Sequence, residues 1–195
     1  MLSNGGTYNY THPVTSQYSY LYAYDGLNHL IEKKQPGREK ETYVRDRAGR
    51  EMMYQDGNMH IGNQWLCTAY DNLNRVTRKY VTTDRVGNIT PAASGITVPQ
   101  LPTATVLYEA MHYGYNSGTS DDPTAALPYA ATNTASLQDL SDNTHGELKY
   151  EKHLLLTEGS QQLYKETAYY YNNKGELLQS VTRYPNGNIL RTSYK

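Results

Sequence analysis

The stretch Tyr18-Ser19-Tyr20-Leu21-Tyr22-Ala23-Tyr24-Asp25-Gly26-Leu27-Asn28 carries two signals in succession. Its first part alternates strictly. As a strand it sets Tyr18, Tyr20, Tyr22 and Tyr24 on one face and Ser19, Leu21 and Ala23 on the other. On a helix the same rings would scatter around the circumference. The part that follows has Asp at its first position and Asn at its fourth. An Asp or Asn side chain at the first position accepts a hydrogen bond from the backbone two residues on, and Gly or Asn at the fourth tolerates the left-handed conformation that closes a type I turn with a bulge. The reading is a strand that runs into a hairpin tip.

The tip pattern recurs at Asp46-Arg47-Ala48-Gly49, Asp71-Asn72-Leu73-Asn74 and, with Asn for Asp, Asn172-Asn173-Lys174-Gly175. The turn residues singled out are therefore Asp25, Asn28, Asp46, Gly49, Asp71, Asn74, Asn172 and Gly175, joined by Gly187 in the hairpin signal Pro185-Asn186-Gly187. Flanking segments such as Glu41-Thr42-Tyr43-Val44-Arg45 and Arg50-Glu51-Met52-Met53-Tyr54 read as strands, with Pro36-Gly37 and Asp56-Gly57 as reversals at the opposite end. The first three tips lie 21 and 25 residues apart, a unit of two strands and two turns. The expected fold is all-β, an antiparallel meander of long hairpins.

Residues 1–195 read as one β domain, with N-terminal hairpins over 7–83, an irregular insertion over 84–146 and C-terminal hairpins of the same sheet over 147–195. The insertion holds most of the prolines and little periodicity. Within it Asp84 to Ile89 is a candidate tip, Ala104 to Tyr108 a candidate strand, and Ser117 to Leu140 a loop with a short helix near Thr134 to Asp139. At this length a compact fold buries about 70% of the surface of its unfolded chain, so a core needs neither metal nor disulfide. Cys67 is the only cysteine, which excludes an intramolecular disulfide.

The composition holds 21 tyrosines and no phenylalanine. Tyr shares the strand preference of aromatic residues and adds a hydroxyl, so it suits half-buried faces that stay wet at the rim. With 18 basic against 19 acidic side chains the formal charge is -1, and no concentrated basic surface is expected for nucleic acid or anionic lipid. No apolar run is long enough to span a bilayer as a helix, and Met1-Leu2-Ser3-Asn4-Gly5-Gly6 lacks the basic and apolar regions of a signal peptide.

Tyr24-Asp25-Gly26-Leu27-Asn28-His29-Leu30-Ile31 and Tyr70-Asp71-Asn72-Leu73-Asn74-Arg75-Val76 resemble the tyrosine-aspartate repeat of the Rhs/YD-repeat family. The order of Lys33-Lys34-Gln35-Pro36-Gly37, Tyr43-Val44-Arg45-Asp46-Arg47-Ala48-Gly49-Arg50 and Gln55-Asp56-Gly57-Asn58 adds to the likeness, which covers residues 18 to 82 well and 164 to 195 moderately. The resemblance implies stacked hairpins in a partial shell or barrel, an extracellular or cell-surface location, and no catalysis by the repeats. It also implies other shell segments as protein partners, and unpaired sheet edges, which promote association, make a second copy a further candidate partner. The second tip departs from the pattern with Arg45-Asp46 and the fourth with Tyr171-Asn172. The repeats are fewer than a complete shell needs, and no aspartate-proline cleavage motif follows them.

Chemistry of other kinds finds little in the pattern. Cys67 lies in an apparent strand without an adjacent base, and no Gly-x-Ser-x-Gly elbow occurs. His12, His29, His60, His112, His145 and His153 show no metal-ligand spacing, and Asp121-Asp122 lacks the alternating ligands of a calcium loop. No cofactor is expected. Glu109, Asp139, Glu147 and Glu151 are the carboxylates available to a hydrolase centred on the insertion. The candidate ligand face is Tyr18, Tyr20, Tyr22 and Tyr24 with Trp65, where flat rings with polar rims would stack on a polysaccharide. The structural alternative is a set of cross-strand ladders with Tyr43, Tyr54, Tyr169 and Tyr171.

Overall fold

The structure, a computed structural model, describes residues 18–46, 48–83, 106–114, 123–130 and 146–194. Their strands are β1 (Leu21–Tyr24), β2 (Leu30–Lys34), β3 (Glu41–Arg45), β4 (Glu51–Gln55), β5 (Trp65–Tyr70), β6 (Val76–Thr82), β7 (Val106–Tyr113), β8 (Leu148–Glu158), β9 (Gln161–Tyr171), β10 (Leu177–Arg183) and β11 (Ile189–Ser193). They form one open sheet of 11 strands whose spatial order is the order of the chain. Such a meander needs only short turns, and the described pairings are all antiparallel. The all-β meander of hairpins read from alternation and turn chemistry is the fold observed.

Several boundaries differ from expectation. The alternating stretch becomes a strand only from Leu21, leaving Tyr18 and Tyr20 ahead of it. Asp56-Gly57, read as a plain reversal, begins a five-residue helix, α1 (Gly57–Ile61), because the Asp56 carboxylate accepts from the Met59 N–H and caps it. Within 84–146, the strand expected near Ala104 to Tyr108 is β7, displaced toward the C-terminus and sharing a register with β8 from Glu109–His153 to Tyr113–Leu148. Pro123–Ala126, in the expected loop, forms a 3-10 turn. The candidate tip at Asp84 to Ile89 and the candidate helix near Thr134 to Asp139 lie outside the described residues. The β8–β9 hairpin bends at Gly159, whose φ is 60, without the four-residue tip pattern of the others.

Two compact units divide the described residues: 18–46, 48–69 and 80–83 in the first, and 70–79, 106–114, 123–130 and 146–194 in the second. In the first, the buried side of the hairpins carries Val44, Met53 and Cys67, which face one another through the pairs Val44–Met53 and Met53–Cys67. Their neighbour Gln55, also buried, donates from its amide to the Gln64 carbonyl at 2.9 Å.

The second unit builds its core from Leu127, Tyr150, Ala168 and Val181, with Tyr170 packed against them. Segment 127–130 is held down by polar contacts as well as by Leu127. The Gln179 side chain, fully buried, accepts from the Ala130 N–H and donates to the Ala130 carbonyl, both at 3.0 Å. The Tyr170 hydroxyl donates to the Leu127 carbonyl.

Other tyrosine hydroxyls of this unit are engaged as well, which gives a reason for Tyr over Phe at those positions. Tyr150 donates to Glu166 at 2.9 Å, Tyr169 to Glu151 at 2.7 Å, Tyr171 to the Leu148 carbonyl at 2.8 Å and Tyr164 to the Leu107 carbonyl at 2.9 Å. A Phe at these places would keep the ring packing and leave each acceptor without that donor.

Candidate functional site

The hairpin tips are one structure built repeatedly. At each of Asp25, Asp46, Asp71 and Asn172 the backbone N–H donates to the carbonyl four residues on, at 2.9 to 3.0 Å. The residue three positions on has positive φ: 65 at Asn28, 78 at Gly49, 65 at Asn74 and 80 at Gly175. One side-chain oxygen of the first residue accepts two backbone N–H groups. For Asp25 these are Leu27 at 2.9 Å and His29 at 2.8 Å; for Asp46, Ala48 at 2.9 Å and Arg50 at 3.0 Å. Asp71 does the same with Leu73 and Arg75, and Asn172 with Lys174 and Glu176.

The second side-chain atom meets the side chain four residues on, and the two change together. Asp46 accepts from Arg50 Nε at 2.6 Å, Asp71 from Arg75 Nε at 2.7 Å, and Asp25 stands 3.1 Å from His29 Nδ1. Where the first residue is Asn172, whose amide nitrogen donates, the fifth is Glu176, which accepts at 2.7 Å. The Gly187 tip keeps the backbone pattern around Tyr184 but has no carboxylate or amide at that first position. Sequence reasoning identified the first and fourth tip residues and missed the fifth, whose spacing of four from the Asp or Asn was visible throughout.

This geometry sets the charge state of the caps. Burial opposes ionisation at Asp25, Asp46 and Asp71, but hydrogen bonds from the backbone and from the His29, Arg50 and Arg75 side chains outweigh it and hold all three carboxyls below the ordinary Asp value. The first two tips also touch: a Cβ on Gly49 would stand 2.9 Å from His29 Nε2, so the ring of the first tip lies against the second.

The tyrosine face behaves differently from the tips. Tyr22 pairs with Lys33, and Lys33 with Glu41, while Tyr43 pairs with Tyr54 and Tyr54 with Leu66, which sets these side chains on one side of the first unit. Tyr43 and Tyr54 contact each other with centroids 5.3 Å apart, and the Tyr43 hydroxyl donates to Glu41 at 2.6 Å. Tyr18, Tyr20, Tyr22 and Tyr24 remain open, at 75%, 63%, 41% and 53% exposure. Among the described residues none of the four side chains joins a ring pair or a hydrogen bond. Trp65 is not brought to them, because the pairs Tyr54–Leu66 and Met53–Cys67 put Leu66 on the tyrosine side and Trp65, with Cys67, on the other.

The remaining candidates are engaged elsewhere. Glu109 faces Lys79 at 3.2 Å and His153 at 3.8 Å; Glu151 faces His153 at 3.2 Å and accepts from Tyr169. The Glu147 carboxylate lies 2.8 Å from where a Cβ on Gly175 would be. Cys67 is fully buried, and burial pushes its thiol up to about 12 against the opposing hydrogen bond with Tyr80, so it is a poor nucleophile. Among the described residues no group of three or more His, Cys, Asp or Glu side chains is placed to hold a metal ion, and no helix is long and apolar enough to cross a membrane. Asp121, Asp122, Asp139, His12 and His145 lie outside the described residues. No family model matches the chain, and no curated protein matches it.

Proposed function

We propose that the chain is a noncatalytic structural segment, part of or derived from an Rhs-type YD-repeat encapsulating shell in an exported or surface-associated assembly. The observation that supports this most is the tip that recurs at Asp25, Asp46, Asp71 and Asn172 with its first and fifth side chains matched in donor and acceptor character. That chemistry fixes strand register, and it commits the polar side chains at those positions to holding the backbone. The YD-repeat likeness of the same residues supplies the shell and the location. Its partners are other shell segments or a second copy.

A second reading, a carbohydrate- or surface-binding module, is favoured by the four open tyrosines. One experiment separates the two. The purified chain and its Tyr20→Ala/Tyr22→Ala variant are run through gels containing cell-surface and dietary polysaccharides. The scaffold expects unchanged migration throughout. Saturable retardation that disappears in the variant, with its circular dichroism unchanged, replaces the scaffold with the binding module.

A further inference from the structure

The connection between β7 and β8 is a hairpin tip with a long segment threaded through it. Gly114 N–H donates to the Glu147 carbonyl at 3.0 Å, and Gly146 has φ 88. Tyr113 pairs with Leu148 beside a register shift, as Tyr24 does with Leu30 and Tyr171 with Leu177 at ordinary tips. Gly114, Gly146 and Glu147 thus hold the first, fourth and fifth tip positions, and residues 115–145 stand where the other tips have two residues. Gly146-Glu147 repeats the Gly175-Glu176 of the fourth tip, and Arg75 of the third tip donates to the Gly146 carbonyl. The sheet is closed beneath residues 115–145, so the β7–β8 ladder does not depend on them.

Part of that segment returns to the sheet. Leu127 is fully buried among Tyr150, Ala168 and Val181, and Tyr129 meets the Tyr170 ring edge-on with centroids 5.5 Å apart. The buried Gln179 amide takes both the N–H and the carbonyl of Ala130, while the Tyr170 hydroxyl donates to the Leu127 carbonyl and, at 3.4 Å, to that of Thr124. Each of these four polar contacts ends on a backbone group, and residues 127–130 belong to no strand. One pocket for an apolar side chain, flanked by side chains aimed at main-chain groups, is the arrangement by which a protein surface holds an extended peptide.

We propose that this face of β8, β9 and β10 is a peptide-binding site, filled here by the chain's own Leu127-Pro128-Tyr129-Ala130 as a tethered ligand. Its partner is an extended segment of another protein with the same chemistry: a branched aliphatic side chain for the pocket, an aromatic two residues on and a small residue after it. Two observations favour an exchangeable occupant over a fixed part of the core. Residues 115–145 join the sheet at one closed tip, so lifting 127–130 breaks no strand pairing. The polar groups of the site also survive the exchange, because Gln179 keeps its 3.2 Å contact with Ser193 Oγ and its amide, like the Tyr170 hydroxyl, can pair with water or with another backbone. A tethered segment competes at an effective concentration of about 1 mM, so a free peptide is excluded while 127–130 is in place. The site is independent of the scaffold reading and of any ligand of the tyrosine face.

The probe is a fluorescein-labelled peptide with the sequence of residues 123–130, followed by fluorescence anisotropy. A shortened chain carries Gly114→Asn and the dipeptide Asn-Lys in place of residues 115–145, which rebuilds the sequence of the fourth tip, Asn172 to Glu176, between β7 and β8. The expected result is saturable binding to the shortened chain. Affinity should fall by about tenfold or more when the peptide carries Leu127→Ala or the shortened chain carries Gln179→Leu. The unaltered chain should leave the probe free up to about 1 mM. Full-length Leu127→Ala serves as a second acceptor: its own segment holds less tightly, so it should bind the probe where the unaltered chain does not. A folded shortened chain that leaves the probe free, or that binds the Leu127→Ala peptide equally well, overturns the inference. If the shortened chain fails to fold, a full-length Leu127→Ala chain that ignores the probe overturns it as well.

Discussion

Asp46 shows how much one side chain does at a tip. It accepts from Ala48 N–H, Arg50 N–H and Arg50 Nε, so Asp46→Ala removes a cap and an ion pair together. The expected cost is about 1 to 2 kcal/mol, read from the shift in urea midpoint. Asp46→Asn should cost less, because Asn172 performs the same backbone capping with an amide. Adding Arg50→Glu to Asp46→Asn recreates the Asn172–Glu176 arrangement and should recover stability relative to Asp46→Asn alone. A double variant weaker than the single one would show that the matching of first and fifth residues is coincidental. Gly49→Val faces two obstacles, φ 78 and the His29 ring 2.9 Å from the new Cβ. Its expected loss is about 2 kcal/mol or more, and an unchanged thermal midpoint would refute the turn geometry.

Elements are held by the polar contacts of their faces as much as by apolar burial. Segment 127–130 is fastened to β9 and β10 through Leu127, Tyr170 and Gln179. Gln179→Leu keeps most of the side-chain volume but leaves the Ala130 N–H and carbonyl without those partners. It should cost about 1 to 3 kcal/mol and speed hydrogen exchange at the Ala130 amide. Slow exchange at Ala130 in that variant would mean the segment is anchored by Leu127 packing alone. Hairpin tips were legible in the sequence because turn chemistry is local. The partners of Gln179 were not, because Ala130 lies 49 residues away and nothing local marks the pair.

The formal charge of -1 at pH 7 makes net repulsion small there; on acidification the 18 Lys and Arg and 6 His side chains leave the molecule strongly positive, and specific groups act on top of that repulsion. Asp25, Asp46, Asp71 and Glu166 titrate below their ordinary values; at Glu166 burial is outweighed by Arg183, Tyr150 and Lys152. A lowered folded value means that stability is fully present above the ordinary value near 4 and is lost as pH falls through the lowered ones. Glu51, raised by burial over the pull of Arg45, works the other way but is one group against several. The urea midpoint should therefore drop steeply below about pH 4, and a flat profile there would remove the caps from the account of stability. At the alkaline end burial and neighbouring carboxylates raise Tyr43, Tyr150 and Tyr169, and burial with Glu147 and Glu151 pushes Tyr171 up to about 12. Folded values raised in this way leave stability intact below about pH 10 and remove it as pH rises through them. Tyrosinate absorbance should accordingly include a component that appears only with unfolding, and its absence would show these hydroxyls to be open to solvent.

By itself the sequence determined the all-β class, the meander order and the positions of the tips marked by a capping Asp or Asn or by Asn-Gly, since alternation, positive-φ residues and capping side chains act within a few neighbouring positions. Only the tertiary structure decided which tyrosines are open and which are hydrogen-bonded, and that Trp65 faces away from Tyr54. It also paired β7, read as part of an irregular insertion, with β8. Exposure, facing and register depend on what distant strands place beside a residue, and a shift of one position reverses every side chain on the strand.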